Sequence, residues 1–292
     1  MQRLLRENVW WAMRVLVTGV AGQLGHDIAE KLAALNIENK GVDIEDFDLT
    51  DKQAVLAAIR AYAPTHVIHC AAYTAVDKAE REPGLCAAVN VDGTRHIARA
   101  CREVSAEMLY FSTDYVFDGF SREEPWEVGD KKDPQNQYGK TKYQGELAVQ
   151  EALDAYYILR ISWVFGKNGH NFVKTMLRLG KENGEVRVVC DQFGAPTYTR
   201  DVADIACEIL QSKKYGVYHT PNSGCTTWHG FAREIFEAAG LAVAVHPVTT
   251  AEYKTPAVRP KNSRLSLSSL TQAGFAPLPH YSDALARYLK EL

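Results

Sequence analysis

Two rhythms of apolar and polar positions alternate along the first half of the chain. Short runs with few polar interruptions, Met13–Thr18, His66–Cys70, Glu107–Thr113 and Tyr156–Ser162, read as buried parallel strands, and "KGVDI" around Val42 reads as a weaker one. Between them the spacing turns helical. Leu24, Ile28, Leu32 and Leu35 mark one face of a helix over Gln23–Leu35. Further helices are predicted over Asp51–Tyr62, with Thr50 or Asp51 as N-cap and Pro64 past the end, over Pro83–Val104, and over Tyr138–Ala152. Strands alternating with helices imply an α/β chain, a doubly wound, Rossmann-like parallel sheet covered on both faces.

Beyond Trp163 the alternation loosens. "HNFVKTMLRLGKE" is helical, "EVRVV" a strand, "TRDVADIACEILQS" a helix, "GVYHT" a strand and "TTWHGFAREIFEAAG" a helix ended by Gly240. Prolines at 247, 256, 260, 277 and 279 break the tail, before a last helix through "YSDALARYLKEL". The expected division is a dinucleotide-binding domain over 13–165, rejoined by a returning helix near 199–212, and a smaller substrate-binding lobe from 166–198 and 213–292. Residues 1–12 are read as an extension ahead of a fold that starts at Met13, with Trp10–Trp11 able to dock on the surface.

Composition sets limits on function. A net charge of −3 gives no reason to expect nucleic acid or a membrane surface as partner. No apolar run approaches the roughly 18 residues of a membrane span, and the N-terminal stretch lacks the apolar core of a secretion signal. The six cysteines, 70, 86, 101, 190, 207 and 225, form no C-x-x-C pair, so they are expected to be buried thiols of a cytoplasmic protein.

Gly19, Gly22 and Gly25 follow the first strand and open the first helix. Such a turn lets main chain approach a diphosphate: Gly19 for the tight bend, Gly22 at the open helix N-terminus, Gly25 for packing of helix on strand. An acid is expected roughly 20 residues on to bond the adenosine ribose, and Asp43 fits. Its charge would repel a 2′-phosphate, which tilts a choice of NADH or NADPH toward NADH; Lys40 is the nearest basic residue in the sequence.

"YGKTK" places Tyr138 and Lys142 four residues apart, on one helical face. A phenol can give a proton to a carbonyl oxygen, but its ordinary pKa of about 10 is high for neutral pH, and a neighbouring ammonium lowers it. The pair follows the fourth predicted strand, whose carboxyl end carries Ser112 and Thr113, where open α/β sheets bind ligands. Thr113 can donate to the same substrate oxygen.

The glycine turn, "NVDGT" at Asn90–Thr94, "STDYVFDG" at Ser112–Gly119 and "YGKTK" together resemble the extended short-chain dehydrogenase/reductase family. "AAYTAVDKAE", "SWVFG", "NFVKTMLRLG", "DQFGAPTYT" and "RPKNSRL" extend the resemblance to about residue 267, toward reductases of a 4-keto sugar on dTDP. The resemblance implies that Gly22, Gln23 and Leu24 carry the cofactor pyrophosphate, Asp43 the ribose, and Asp48 with Leu49 the adenine. Ala71, Ala72, Tyr73 and Phe111 would line the cofactor. Thr113 and Asp114 would meet the sugar, and Trp163 would pack on it. Tyr138 would be proton donor with Lys142 as partner, and the two would also bind the cofactor, Lys142 holding the nicotinamide ribose. A monomer or homodimer is implied, and Mg2+ at a dimer interface is a feature of some members.

Family neighbours make other readings. Dehydratases carry Thr-Asp-Glu where this chain has Thr113-Asp114-Tyr115, and without the glutamate the base for elimination is missing. An epimerase, or a non-catalytic nucleotide-binding subunit, remains the alternative; intact Thr113, Tyr138 and Lys142 favour a reductase. Arg259 in "RPKNSRL" is the candidate for the substrate diphosphate, since a guanidinium matches phosphate in bidentate fashion. Trp228 and Phe231 of "WHGF" read as core or capping residues, and His66, His69, His170, His219 and His229 show no metal-ligand spacing.

Overall fold

In the first strand, β1 (Arg14–Thr18), successive side chains enter two different cores. Val15 and Val17 pack with Ile28 and Leu32 on one face of the sheet. Leu16 packs with Val55, Ile59, Val67 and Ile97 on the other. A strand buried on both faces needs no polar alternation, which is why these segments are nearly all apolar. The computed structural model describes residues 13–292; the extension read over 1–12 lies outside the described residues.

Six parallel strands make the central sheet: β1, β2 (Glu38–Val42), β3 (His66–His69), β4 (Glu107–Thr113), β5 (Tyr156–Ile161) and β7 (Gly216–His219). Their order is β7-β5-β4-β3-β1-β2, with the chain reversing its direction of travel between β1 and β3. Helices α1 (Gln23–Ala34) and α6 (Thr199–Ser212) cover one face, with Val202, Ala206 and Ile209 of α6 in the core of β1 and β5. Helix α2 (Lys52–Tyr62), the helical rod α3 (83–104) and helix α4 (Gln137–Ala152) cover the other. Asp51 caps α2, accepting from the Gln53 and Ala54 amides at 2.8 and 3.1 Å.

Two features depart from the sequence reading. The rod α3 runs Pro83–Ala87, Ala88–Gly93 and Thr94–Val104, but its middle stretch is wound as π-helix. There the Asn90 amide turns inward to bond both the N–H and the carbonyl of Tyr73, at 2.8 and 3.1 Å, a long-range demand that periodicity does not carry. The strand Gly216–His219, expected in the second lobe, is instead the edge of the central sheet, paired with β5 from Gly216↔Tyr157 to His219↔Arg160. Leu270, Phe275 and Leu278 return to that core as well, so the chain crosses between lobes more often than the expected boundaries allow.

A second core collects Phe165, Val173 and Met176 of α5 (Phe172–Asn183), Phe231 and Ile235 of α7 (Trp228–Ala238), and Tyr281 and Leu285 of α8 (Tyr281–Leu289). Beside it β6 (Glu185–Val189) pairs in parallel with β8 (Ala244–Val248). All six cysteines are free; Cys86, Cys101 and Cys207 are buried as expected, whereas Cys225 is exposed. Among the described residues no helix is long and apolar enough to cross a membrane.

Candidate active site

The carboxyl ends of β1, β3, β4 and β5 open into a cavity of about 840 Å3. At its floor the glycine turn is fixed by sterics. Gly19 sits at φ +70°, and a Cβ there would lie 2.7 Å from the Ala71 backbone. A Cβ on Gly25 would lie 2.2 Å from the Gly19 carbonyl oxygen, so only glycine lets α1 start this close to the turn. Gly22 is the N-cap of α1 and offers no side chain to the helix terminus. The first amides of α1, at Gln23 and Leu24, therefore face the cavity with the positive end of the helix dipole and no capping side chain. That is the chemistry a diphosphate requires.

Asp43 at the end of β2 holds this turn: its carboxylate accepts from the Ala21 N–H and the Ile44 N–H, both at 2.9 Å. Asp48 is organised by Thr50, whose N–H and hydroxyl both donate to it at 2.8 Å, and these bonds hold its carboxyl below the usual range. Asp43, Asp48 and Leu49 all line the cavity, as do Ala71, Ala72, Tyr73 and Phe111. The described lining near Asp43 and Asp48 contains Ile44 and Phe47 and no lysine or arginine.

The opposite wall is built by the start of α4. Asn136 caps it, accepting from the Gly139 N–H at 2.8 Å, and Gly139 packs where a Cβ would lie 2.3 Å from the Tyr115 carbonyl oxygen. This seats Tyr138 and Lys142, one turn apart, on the cavity lining together with Thr113 and Asp114. The Lys142 ammonium is buried and donates to the Phe111 carbonyl at 2.6 Å. Tyr115 stands edge-on to Tyr138, with ring centroids 5.8 Å apart.

The electrostatics differ from the expectation that Lys142 simply lowers the Tyr138 phenol. Burial pushes Tyr138 up, the Asp114 charge adds to this, and a hydrogen bond with Thr113 pulls it back. Burial also draws Lys142 down to about 7, against the charge of Glu146. A desolvated cleft penalises both charged forms. Asp114 is pushed up to about 6 by burial, against hydrogen bonds from Ser263 and Thr113. The Thr113 hydroxyl donates to Asp114 at 3.0 Å and accepts from the Tyr115 N–H at 3.2 Å.

Trp163, at φ +48°, reaches the cavity after β5. Its indole stacks on Trp228, with centroids 3.6 Å apart and planes at 11°, and Trp228 also lines the cavity. Trp228 is therefore a wall residue, not merely the core or capping residue of the sequence reading. The signal was its place beside the Thr227 N-cap, which accepts from the Gly230 N–H at 3.0 Å and aims the first turn of α7 at the cleft. Gly169 and His170 join the lining from the loop before α5.

Arg259 alone among the predicted site residues is not on the cavity lining. Its guanidinium is taken by Asp77 through two bonds of 2.9 Å. Among the described residues one group has metal-ligand proximity: His26, Asp27 and Glu30 on α1, with ligand atoms within 4.8 Å. It does not suit Mg2+. One donor is an imidazole paired with Glu30 at 3.4 Å, and Asp27 already accepts from the Thr199 hydroxyl, whereas Mg2+ demands an octahedron of oxygens.

The chain matches the RmlD substrate binding domain family over residues 13–292. It is 43% identical to the dTDP-4-dehydrorhamnose reductase of Streptomyces griseus, over 93% of this chain and 91% of that one. It is 39% identical to the dTDP-4-dehydrorhamnose reductase of Escherichia coli strain K12, over 96% and 98%. The crystal structure of dTDP-4-dehydrorhamnose reductase from Bacillus anthracis, in complex with NADP, superposes with a TM-score of 0.94 at 41% identity, covering 96% of this chain and 99% of that one.

Proposed function

The chain belongs to the dTDP-4-dehydrorhamnose reductase family, and from that premise we propose how its cavity reduces the 4-keto group of dTDP-4-dehydro-L-rhamnose to dTDP-L-rhamnose. A nicotinamide dinucleotide is the source of the hydride that C4 receives. The uncapped start of α1 at Gln23 and Leu24 holds its diphosphate, and Asp43 takes the adenosine ribose with Asp48 and Leu49 beside the adenine. Tyr73 and Phe111 bound the nicotinamide half. The cofactor is NADH or NADPH: carboxylates at the ribose end, with no lysine or arginine beside them on the described lining, favour NADH, while the NADP bound by the Bacillus anthracis relative favours NADPH.

Tyr138 is the proton donor in this reading. As the C4 carbonyl becomes an alkoxide, the phenol O–H gives up its proton to that oxygen, the phenolate is held by Lys142 and Thr113, and solvent returns the proton. The raised phenol suits an acid that must stay protonated until the alkoxide, a stronger base, forms. Asp114 and the Trp163–Trp228 stack hold the sugar. One observation carries the reading: Tyr138 and Lys142 share a wall of the same cavity whose floor is an uncapped, glycine-cleared helix terminus. The net charge of −3 and the free cysteines fit a cytoplasmic enzyme whose partner is a small dTDP-sugar and not nucleic acid.

The deciding experiment supplies dTDP-4-dehydro-L-rhamnose with NADH or NADPH, follows loss of the reduced cofactor, and identifies the sugar by mass and stereochemistry. dTDP-L-rhamnose as product supports the reading. A C4 epimer as product, or binding without turnover, overturns it.

A further inference from the structure

The ammonium of Lys142 is buried among groups that mostly cannot balance its charge. On its own helix Glu146 lies one turn on, but that carboxylate is already held by Arg160 through bonds of 2.8 and 2.7 Å. From β3 it faces His69, from the residue just past that strand Cys70, and from α3 Cys86. Burial pulls the His69 imidazole down to about 3 and pushes both thiols up, so all three are neutral at working pH. From β4 it meets two groups: the Phe111 carbonyl oxygen at 2.6 Å, and the face of the Tyr110 ring, whose centroid lies 4.1 Å from the nitrogen.

We propose that Tyr110 is the positioning residue of the Lys142 ammonium, its ring face serving as the second partner that keeps the buried cation charged and aimed beside the Phe111 carbonyl. This role rests on the reading of Lys142 as the partner of Tyr138. The ring is locked from three sides. Its hydroxyl donates to the Lys142 carbonyl at 3.3 Å, fixing ring and helix together. The His69 ring stacks on it at 5.8 Å and 24°. His69 is in turn pinned by the Thr18 and Thr94 hydroxyls at 2.7 and 3.2 Å. Residue 145 has to be glycine for α4 to come this close, since a Cβ there would lie 2.4 Å from the Tyr110 hydroxyl oxygen. A cation over an aromatic face gains most where water is excluded, as it is here.

The sign of the effect follows. Turnover needs the ammonium, so activity falls as pH rises through the Lys142 value. Weakening the ring contact lowers that value and moves the alkaline limb of the pH profile toward lower pH. Tyr110→Leu should shift the limb of kcat/KM, at saturating cofactor, down by about one pH unit. Tyr110→Phe keeps the ring and should leave it in place. A series of mono-, di- and trifluorinated phenylalanines at position 110 preserves shape while draining the π face, and should move the limb stepwise, with unchanged melting temperature and cofactor affinity. A limb that stays fixed across the fluorinated series, or that moves as far with Tyr110→Phe as with Tyr110→Leu, overturns the role of the ring. Lys142→Met separates the two readings. Full turnover in that variant overturns the catalytic lysine itself, whereas an inactive variant beside an unmoved fluorinated series overturns only Tyr110.

Discussion

Arg259 and Asp77, 182 residues apart, close a two-pronged ion pair with both N–O distances at 2.9 Å. The Ala257 N–H donates to the same carboxylate at 3.2 Å, and the Asn136 amide donates to the Val258 carbonyl at 2.8 Å. A late loop of the chain is thereby strapped to the short helix Val76–Ala79 and to the cap of α4. Val76 and Tyr138, on those two elements, line the cavity.

The strap makes a prediction distinct from a phosphate-binding role for Arg259. Arg259→Ala and Asp77→Asn should raise KM for the sugar nucleotide alike, by several-fold, with kcat little changed. If Arg259 served the substrate diphosphate, Asp77→Asn would release it and lower KM. Both side chains are partly solvated, so the pair contributes only about 1 kcal/mol to stability. Arg259 holds the Asp77 carboxyl below its ordinary value. That contribution is therefore present above the ordinary carboxylate range and is lost as pH falls through the depressed value. Steady-state kinetics and melts of the two variants check both statements.

Tyr138→Phe removes the one proton that the reading assigns to the alkoxide. Turnover should fall by at least about 10²-fold, the usual weight of a lost general acid. Cofactor affinity, measured by fluorescence titration, should hold within about twofold, because the glycine turn and Asp43 lie on the far wall. Near-normal turnover would remove Tyr138 from the mechanism.

Much of this arrangement was legible in the residues, for definite reasons. β1, β3, β4 and β5 are buried on both faces, so their apolar runs are unbroken. Gly19 and Gly25 are required by clashes local to the turn, and Tyr138 and Lys142 by a single helical turn. What stayed hidden depends on contacts between distant segments. Gly216–His219 belongs to the central sheet only because β5 offers its edge. Arg259 looks like a free guanidinium until Asp77 is brought against it. Trp228 reads as core until its partner Trp163 is found to open on the cavity. The balance of burial against charge at Lys142 depends on Tyr110 and Glu146 together, and no spacing rule encodes that.

Asp114 should leave a signature in stability. Burial raises its carboxyl from 3.8 to about 6. A raised acid contributes stability that is complete below about pH 4 and is lost as pH rises through about 6. Asp114→Asn mimics the protonated form at every pH. It should flatten the fall in unfolding free energy between those values, gaining up to about 3 kcal/mol on the wild type at neutral pH while impairing sugar binding. Urea denaturation at a series of pH values tests this; parallel curves for the two proteins would contradict the assignment.

Cofactor choice should respond to Asp43. Its carboxylate accepts from the Ala21 and Ile44 amides, which fix the side chain beside the glycine turn on the cavity lining. Asp43→Asn preserves one acceptor and removes the repulsion of a 2′-phosphate. The ratio of kcat/KM for NADPH over NADH should rise about tenfold, equivalent to about 1.4 kcal/mol of differential binding. An unchanged ratio would mean that the discrimination lies elsewhere on the lining.

The pair of Glu146 on α4 and Arg160 on β5 sets the last expectation. Both side chains are almost wholly buried, at 1% and 2% exposure, so neither charge can be satisfied by water. The Arg160 Nη1 group meets the Val128 carbonyl and the His219 Nε2 atom, at 3.2 and 3.3 Å. Removing one partner leaves the other charge stranded in low dielectric, which costs far more than the pair contributes. Glu146→Gln should therefore destabilise the fold by about 3–5 kcal/mol, and Arg160→Met by a similar amount. The double variant should recover much of the loss, because no uncompensated charge remains; it will stay short of the wild type by the bonds that Val128 and His219 forfeit. Denaturant melts of the four proteins complete the cycle, and strictly additive losses would show that the two side chains act independently.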